Sequence, residues 1–362
     1  MARIVQKFGG TSVGDVERIK NVALKVKAEI DLGNEVAVVL SAMSGETNRL
    51  IDLVNQIGSL HDACEYDTVV ATGEQVTIGL LALALHDLGV SARSWLGWQV
   101  QFHTDDIHTK ARIQKIDVSE LDKRMKSGEV PVVAGFQGIG TDKRITTLGR
   151  GGSDTSAVAL AAALGADRCD IYTDVDGVYT TDPRIVTKAR KLDKITYEEM
   201  LEMASLGAKV LQTRAVEMAM KHGQRIQVRS SFEDKPGTLV VGEEEIVEKE
   251  LVSGIAYSRD EAKITLVRVS DKPGVAAAIF GPLSDASVNV DMIVQNESVA
   301  GKATDLTFTV TQADLGRAID TLEKYSSDIG YEKLYSDANV VKISVVGVGM
   351  RSHVGVAQIM FT

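Results

Sequence analysis

Cysteine is scarce in this sequence, and its histidines are scattered. The 362 residues include two cysteines, Cys64 and Cys169, and neither belongs to a C-x-x-C pair or lies near a histidine cluster. This scarcity argues against a disulfide framework and a zinc site, and it is typical of a reducing compartment. The six histidines lack metal-ligand spacing, so the sequence predicts no metal site built by the protein alone.

Long apolar runs and an excess of basic charge are also missing, and we expect no leader segment. The apolar run at residues 80–85 is followed by His86 and Asp87 and is far too short to span a membrane. Residues 1–3 lead into a strand-like segment without the features of a signal peptide. The net charge of −10 disfavours a nucleic-acid partner, which usually requires a basic surface. We therefore expect a cytoplasmic enzyme that binds neither membrane nor nucleic acid.

Alternating strand and helix patterns occupy residues 1–232, and the whole chain is long enough for two or three domains. Apolar, β-branched runs predict buried strands, and apolar positions at helical spacing predict the helices between them. The strand patterns lie at residues 4–8, 36–40, 130–134 and 170–173, and the helical patterns lie at 15–30, 50–57 and 155–164. We predict a largely parallel sheet covered by helices on both faces, with ligands beyond the carboxyl ends of the strands.

A charged segment at residues 242–250 marks a predicted linker, and a weak internal repeat follows it. KITLV at 263–267 resembles KISVV at 342–346, and both copies continue with a GVA tripeptide. The period of about 80 residues indicates two copies of a small domain rather than a solenoid. The second copy stops at Thr362, just inside its first helix.

The first candidate for chemistry is KFGGTS at residues 7–12, where a strand ends in Lys7 and Gly9 and Gly10 follow. Glycines let the backbone approach a phosphate closely, and their N–H groups form an anion-binding nest. Lys7 adds a point charge for the terminal phosphates. A tight strand-to-helix turn with a surface lysine explains the segment equally well, and the Walker order G-x-x-x-x-G-K-[ST] is absent.

A second glycine cluster, GRGGSDT, occupies residues 149–155 and opens a helix. An N-cap explains Ser153 and Asp154, but it requires neither the adjacent glycines nor the preceding arginine. Arg150 can bind a carboxylate through two parallel hydrogen bonds, and Asp154 can orient lysine side chains or help to position magnesium. We therefore favour a functional interpretation over a purely structural one.

Residues 172–184 (YTDVDGVYTTDPR) begin as a strand and become a loop rich in acids, aromatics and turn residues. Tyr179 suits a position beside a base and Arg184 suits a phosphate contact. The alternative is a structural Asp-rich turn, and the spacing excludes an EF-hand. Three further features are weak alone: Glu74 in ATGEQ, the hydroxyl-rich loop at 41–47, and Lys209, which is typical of a solvated helix charge.

Together these motifs resemble the aspartate kinases of the amino-acid kinase family. The resemblance covers essentially the whole chain and rests on KFGGTS, SAMSGETN, ATGEQ, TTLGRGGSDTSA, YTDVDGVYTTDPR and SLGAKVL. It implies a carbamate-kinase-like three-layer α/β/α domain at residues 1–245. It also implies ferredoxin-like (βαββαβ) ACT domains, the first at 251–335 and the start of a truncated second at 336–362.

The resemblance also implies the reaction and the residues that perform it. The γ-phosphate of ATP, with Mg²⁺, would pass to the β-carboxylate of L-aspartate, the entry to lysine, threonine and methionine biosynthesis. The catalytic residues would be Lys7, Asp154 and Lys209. The ATP-binding set would be Lys7, Gly9, Gly10, Thr173, Asp174, Tyr179, Arg184 and Lys209. The aspartate-binding set would be Ser41, Thr47, Glu74, Arg150, Gly151, Gly152 and Ser153.

The ACT resemblance implies regulation by amino-acid effectors, lysine and threonine, and a homodimer or higher oligomer through these domains. The effector-binding set would be Asp271, Gly274, Asn289, Asp291, Gln295 and Asn296.

Two alternatives stay open at this point. One is a kinase acting on glutamate, acetylglutamate or a nucleotide. The other is a non-catalytic amino-acid sensor on a kinase scaffold, which the intact Lys7, Asp154 and Arg150 disfavour.

Overall fold

The computed structural model describes residues 1–58, 61–208, 210–246, 252–270, 272–297 and 303–347, with the single positions 355 and 358. These residues form two compact units. The larger unit comprises Met1–Ile255 and Val345–Thr362, and the smaller unit comprises Ala256–Ser344.

The larger unit is organised around an eight-stranded sheet. The strands of this unit, which also include those of a second sheet, are β1 (Arg3–Phe8), β2 (Glu35–Leu40), β3 (Ala92–Trp95), β4 (Phe102–Thr104), β5 (Ile113–Ile116), β6 (Val130–Ala134), β7 (Gln137–Ile139), β8 (Ile145–Thr147), β9 (Arg168–Thr173), β10 (Lys194–Thr196), β11 (Ile226–Ser230) and β12 (Thr238–Val241). The main sheet has the order β10-β12-β11-β9-β1-β2-β6-β3. All its paired strands run parallel except β11 and β12. The predicted parallel sheet is thus confirmed.

Helices cover both faces of that sheet. The helices of the larger unit are α1 (Val16–Asp31), α2 (Glu46–Ile57), α3 (Ala63–Val70), α4 (Thr72–Asp87), α5 (Gly97–Val100), α6 (Ser119–Lys126), α7 (Gly152–Leu164), α8 (Tyr197–Ser205) and α9 (Thr213–His222), with 3₁₀ turns at Gly10–Val13 and Glu243–Glu245. On one face α1 and α4 pack their apolar stripes against Phe8 and Leu40. On the other face α6 to α9 pack around Val5 and Val39. Neighbouring residues of one strand pack against opposite helix layers, because side chains alternate between the two faces of a sheet. The result is the predicted three-layer arrangement.

The α3–α4 stretch, Ala63–Asp87, is long and apolar enough to cross a membrane by length and composition alone, although half of its apolar window is buried inside the protein. Ile78, Leu81 and Leu85 of α4 belong to the core that covers the sheet. The apolar composition of this stretch is therefore explained by its position as a core helix.

A second, four-stranded sheet, ordered β5-β4-β7-β8, lies within the larger unit. Its strands are three or four residues long. A hydrogen bond of 2.6 Å joins the buried hydroxyls of Thr104 and Thr146 across it. This sheet leads directly into the glycine cluster at 149–155, because β8 ends at Thr147.

The smaller unit has the βαββαβ order of a ferredoxin-like domain. Its elements are β13 (Gly254–Ser270), α10 (Val275–Asp285), β14 (Val290–Glu297), β15 (Ala303–Val310), α11 (Leu315–Lys324), α12 (Ser326–Ile329) and β16 (Lys333–Val346), with a 3₁₀ turn at Gln312–Asp314. The sheet order is β14-β15-β13-β16, and its core includes Ile264, Phe308 and Leu322. The predicted βαββαβ order is confirmed, and the segment that resembles the start of a repeat, residues 342–346, is the last part of β16.

Candidate active site

Five strand ends meet at one edge of the main sheet. β1, β2, β6, β9 and β11 are parallel neighbours, and their last residues are Phe8, Leu40, Ala134, Thr173 and Ser230. Loops that follow parallel strands gather at the carboxyl edge, where ligands bind in sheets of this kind. The motifs at 7–12, 41–47, 149–155 and 172–184 all reach this edge or lie beside it.

The first glycine loop is fitted closely between its neighbours. Gly9 donates its N–H to the carbonyl of Tyr172 at 3.2 Å, and a Cβ on Gly10 would lie 3.0 Å from the carbonyl oxygen of Ala42. Ser12 and Ser231 share a hydroxyl–hydroxyl hydrogen bond of 2.5 Å. The loop turns through a 3₁₀ segment, Gly10–Val13, before α1 begins at Val16. The glycines are thus required for close backbone approach.

Lys7 and Asp154 form a buried ion pair at the centre of this edge. Lys7 Nζ lies 2.5 Å from Asp154 Oδ1, and the two side chains are 10% and 11% exposed. Lys7 is near the end of β1, and Asp154 lies in the first turn of α7, where the helix dipole favours a carboxylate. The structure therefore brings together the two glycine clusters that the sequence presents separately.

The segment formed by residues 149–153, here called the substrate loop after its expected role, follows β8 and runs into the first turn of α7. Gly149 and Gly151 have φ of 80° and 71°, a region that favours glycine. A Cβ on Gly151 would lie 1.8 Å from Cγ of Gln212. Arg150 is exposed, whereas Gly152 and Ser153 are buried. Arg150 is thus presented to solvent from a tightly packed backbone.

Glu74 is a buried carboxylate in the first turn of α4, only 2% exposed. Its Oε1 accepts the backbone N–H of Ala42 at 3.1 Å, and Oε2 has no hydrogen-bond partner among the residues that the structure describes. Burial raises the pKa of Glu74 to about 8. A buried carboxylate oxygen without a partner is costly, so the site is suited to a cationic ligand.

Ser41 and Thr47 flank the same loop after β2. Ser41 donates its N–H to the carbonyl of Phe8 at 3.2 Å, and its own carbonyl accepts the hydroxyl of Thr77 at 2.9 Å. Thr47 lies in the first turn of α2, and both side chains are half-buried. The loop is therefore held against β1 and α4 while its hydroxyls stay accessible.

Residues 172–184, here called the nucleotide segment after their expected role, begin in β9 and continue as a loop. Thr173 donates its hydroxyl to Asp174 Oδ1 at 3.0 Å, and Tyr179 donates to Asp176 Oδ1 at 2.9 Å. Lys191 Nζ lies 3.5 Å from Asp176 Oδ2. The sequence motifs did not indicate this lysine because it lies outside residues 172–184. Arg184 is exposed and pairs with Asp182 at 2.9 Å.

The predicted effector residues that the structure describes lie in the smaller unit. Gly274 precedes α10 with φ of 92°. Asn289, Asp291, Gln295 and Asn296 lie just before or within β14 and are exposed. Asp291 forms an ion pair with Lys342, whose Nζ is also 3.0 Å from Glu261 Oε1. Asp271 and Lys209 lie outside the described residues.

Within the described ranges, no group of three or more histidine, cysteine, aspartate or glutamate side chains can hold a metal ion. Sequence reasoning also missed Asp67, a fully buried carboxylate on α3. No local motif marks it, because its hydrogen-bond partners lie 41 or more positions away.

Comparison with known proteins identifies the architecture. Residues 2–230 match the Amino acid kinase family and residues 263–326 match the ACT domain. The chain is 59% identical over its whole length to an aspartate kinase of Stutzerimonas stutzeri, covering 88% of that protein. It is equally 59% identical to an aspartokinase of Pseudomonas aeruginosa, again with 88% of the relative covered.

Solved structures agree with these relatives. Escherichia coli aspartokinase III in complex with aspartate and ADP is 27% identical, with a TM-score of 0.81 over 99% of this chain and 90% of that one. Aspartate kinase from Synechocystis is 43% identical, with a TM-score of 0.61 over 99% of this chain and 62% of that one. The chain therefore belongs to the aspartate kinases of the amino acid kinase family, with an ACT domain in its C-terminal part.

Proposed function

We propose that this aspartate kinase transfers the γ-phosphate of ATP to the β-carboxylate of L-aspartate at the carboxyl edge of the main sheet, with Lys7 as the principal charge. The buried Lys7–Asp154 pair beside the first glycine loop carries this assignment. It places a cation next to backbone N–H groups where parallel strands end, which is where a phosphate is expected.

The chemistry requires charge neutralisation rather than a general base. A carboxylate with a pKa near 4 is already ionised at neutral pH, so the obstacle is bringing an anion against a triphosphate. Lys7 would stabilise the transferring phosphoryl group, and Asp154 would hold Lys7 in place. Lys209 would support the nucleotide phosphates. Catalysis would then consist of alignment and electrostatic stabilisation.

Aspartate would be recognised at three points. Glu74, buried with one oxygen that lacks a partner among the described residues, would accept the substrate ammonium. Arg150 would bind the α-carboxylate through two parallel hydrogen bonds. The remaining wall would come from Ser41, Thr47, Gly151, Gly152 and Ser153. Such a site would bind both the ammonium and the α-carboxylate of an amino acid and would leave its β-carboxylate for Lys7.

ATP would lie across the first glycine loop and the nucleotide segment. Gly9 and Gly10 would contact phosphates, and Thr173, Asp174, Tyr179 and Arg184 would surround the nucleotide. Magnesium usually takes one or two carboxylates and relies on substrate phosphates. Asp154, a carboxylate at the expected phosphate edge, would suit that pattern. Mg²⁺ would supply charge neutralisation of the phosphates when it arrives with the nucleotide.

Regulation would belong to the C-terminal part of the chain. E. coli aspartokinase III, which is 28% identical to this chain, has also been solved in complex with lysine and aspartate, in the T-state. By analogy, lysine or threonine would bind the effector set, which includes Asp271. We also propose domains at 1–245, 251–335 and 336–362, a homodimer or higher oligomer through the ACT domains, and a cytoplasmic location.

An ATP-coupled assay with L-aspartate tests the proposal. ADP release should require aspartate and be absent with L-glutamate at the same concentration, and trapping with hydroxylamine should give the aspartyl hydroxamate. Adding lysine, threonine or both should lower the rate. Phosphorylation of glutamate without activity on aspartate would refute the substrate assignment, and activity insensitive to both amino acids would refute the effector assignment.

A further inference from the structure

A buried carboxylate outside the proposed catalytic set lies beside the approach to the substrate loop. Asp67 on α3 is 0% exposed. Its oxygens accept the backbone N–H of Thr147 at 3.0 Å and the Thr147 hydroxyl at 2.6 Å. They also accept the N–H of Thr109 at 3.0 and 3.2 Å and contact His108 Nδ1 at 2.8 Å. One carboxylate thus ties α3 to two separate segments.

The backbone at Thr109 is strained where Asp67 holds it. Its φ is 68°, which is a true outlier for a β-branched residue and persists only where the surroundings enforce it. The carbonyl oxygen of Thr109 faces Gly149, on which a Cβ would lie only 3.1 Å away. The strained residue therefore packs directly against the first glycine of the substrate loop.

Arg214 of α9 also holds the backbone at the end of β8. Its Nη1 donates to the carbonyl of Leu148 at 2.5 Å and its Nη2 to the carbonyl of Ala111 at 2.9 Å. Ala111 in turn donates its N–H to the carbonyl of Thr147 at 2.9 Å. Thr147 and Leu148, immediately before the substrate loop, are thereby held by side chains of two helices, α3 and α9.

Arg150 lies close enough to α3 for its charge to act on the pKa of Tyr66. The pKa of Tyr66, the residue before Asp67, is raised by burial and by the Asp67 carboxylate, and the charge of Arg150 acts in the opposite direction. This proximity agrees with the hydrogen bonds between Asp67 and Thr147, because Thr147 lies only three positions before Arg150. Asp67 therefore lies beside β8, the strand that enters the substrate loop, and its neighbour Tyr66 lies within electrostatic reach of Arg150.

We propose that Asp67 is a positioning residue for aspartate binding, which fixes Thr109 and Thr147 and so sets where Arg150 and the backbone of the substrate loop meet the substrate. This inference rests on the proposed function, since it takes Arg150 as the ligand of the substrate carboxylate. None of the hydrogen bonds of Asp67 within the described residues reaches the nucleotide segment. Its effect should therefore fall on aspartate rather than on ATP.

Asp67→Asn tests this selectivity. The asparagine amide retains one acceptor oxygen, but its NH₂ group faces donors that contact a carboxylate oxygen in the parent protein. We expect the KM for aspartate to rise about tenfold, because small displacements of positioning groups are costly. The KM for ATP should stay within about twofold. Equal rises in both KM values, or no change in either, would overturn the proposal.

A milder pair of variants keeps the test valid if Asp67→Asn folds poorly. Thr147→Val removes only the 2.6 Å hydroxyl contact with Asp67, whereas Thr147→Ser keeps it. The valine variant should raise the KM for aspartate and the serine variant should restore it. A serine variant as impaired as the valine variant would refute the role of this contact.

Asp170→Asn is the matched control. Asp170 is also 0% exposed and bonded, but its partners are two arginines: Arg168 on β9 at 2.5 Å and Arg229 on β11 at 3.8 Å. It should lower thermal stability while leaving the KM for aspartate unchanged, and an equal KM rise would show that any buried carboxylate has this effect. If the parent enzyme does not phosphorylate aspartate, the proposed function fails. If the parent is active and Asp67→Asn binds aspartate normally, only the positioning role fails.

Discussion

Lys7 Nζ and Asp154 Oδ1 lie 2.5 Å apart, although one belongs to the first strand and the other to the seventh helix. Both side chains are about nine-tenths buried. Desolvation of such a pair is expensive, and removal of one partner leaves an uncompensated charge. The pair therefore links the stability of the larger unit to the electrostatics of its candidate active site.

Lys7→Ala should lower both activity and stability. Loss of a preorganised charge at a transferring phosphoryl group should reduce kcat by about 100- to 1,000-fold. The unpaired Asp154 should cost about 3–5 kcal/mol in the free energy of unfolding. Coupled kinetics and urea unfolding measure the two effects.

Two variants calibrate that result. Lys20→Ala removes an exposed lysine paired with Glu17 and should change neither quantity appreciably. Lys7→Ala combined with Asp154→Ala should be more stable than Lys7→Ala alone, because no carboxylate is left unpaired. A Lys7→Ala enzyme with near-normal kcat would remove Lys7 from the mechanism.

Aspartate binding should depend on pH through Glu74. Its pKa of about 8 means that the free enzyme holds this carboxyl mainly protonated at neutral pH. A bound ammonium favours the ionised form, so binding should release a proton. The dissociation constant of aspartate should fall as the pH rises from about 6.5 to about 8.5. Isothermal titration calorimetry in buffers of different ionisation enthalpy measures the proton release directly.

Glu74→Gln should weaken aspartate binding and abolish its proton release over that range. The stability of the unliganded protein should depend on pH in the opposite sense to aspartate binding. In the folded protein the pKa of Glu74 is raised from 4.5 to about 8, so protonation of Glu74 stabilises the unliganded fold. This contribution to stability is lost as the pH rises from 4.5 to about 8. The glutamine variant should show a flatter pH–stability profile. Proton release that is identical in both proteins would refute the role of Glu74.

Local patterns predicted much of the main sheet, because its strands are continuous apolar runs. The expected strand at 36–40 is observed as Glu35–Leu40, and the expected helix at 155–164 begins earlier, at Gly152. The small sheet went unpredicted since β4, β7 and β8 have three residues each, too few to show a period. Asp67 escaped notice for another reason: its contact with Thr147 spans 80 positions.

Gly151→Ala should impair function, whereas Gly165→Ala should only destabilise. Both glycines have left-handed φ, 71° and 60°, at opposite ends of α7. Each alanine should cost about 1–2 kcal/mol from the backbone conformation alone. A Cβ on Gly151 would also collide with Gln212, while nothing lies within 4 Å of one on Gly165. Only Gly151→Ala should therefore lower kcat/KM for aspartate, and equal kinetics at matched folding would contradict the packing argument.

Asp291→Ala should weaken inhibition by lysine or threonine and spare catalysis. Asp291 is exposed on β14, so its loss removes a carboxylate that an effector ammonium can reach. Lys342 would keep its second partner, Glu261, at 3.0 Å, and the smaller unit should stay folded. Asp320→Ala, which replaces an exposed aspartate on α11, is the matched control and should be inhibited normally. Inhibition curves at fixed aspartate and ATP measure the difference, and an Asp291→Ala enzyme inhibited as strongly as the control would exclude Asp291 from the effector site.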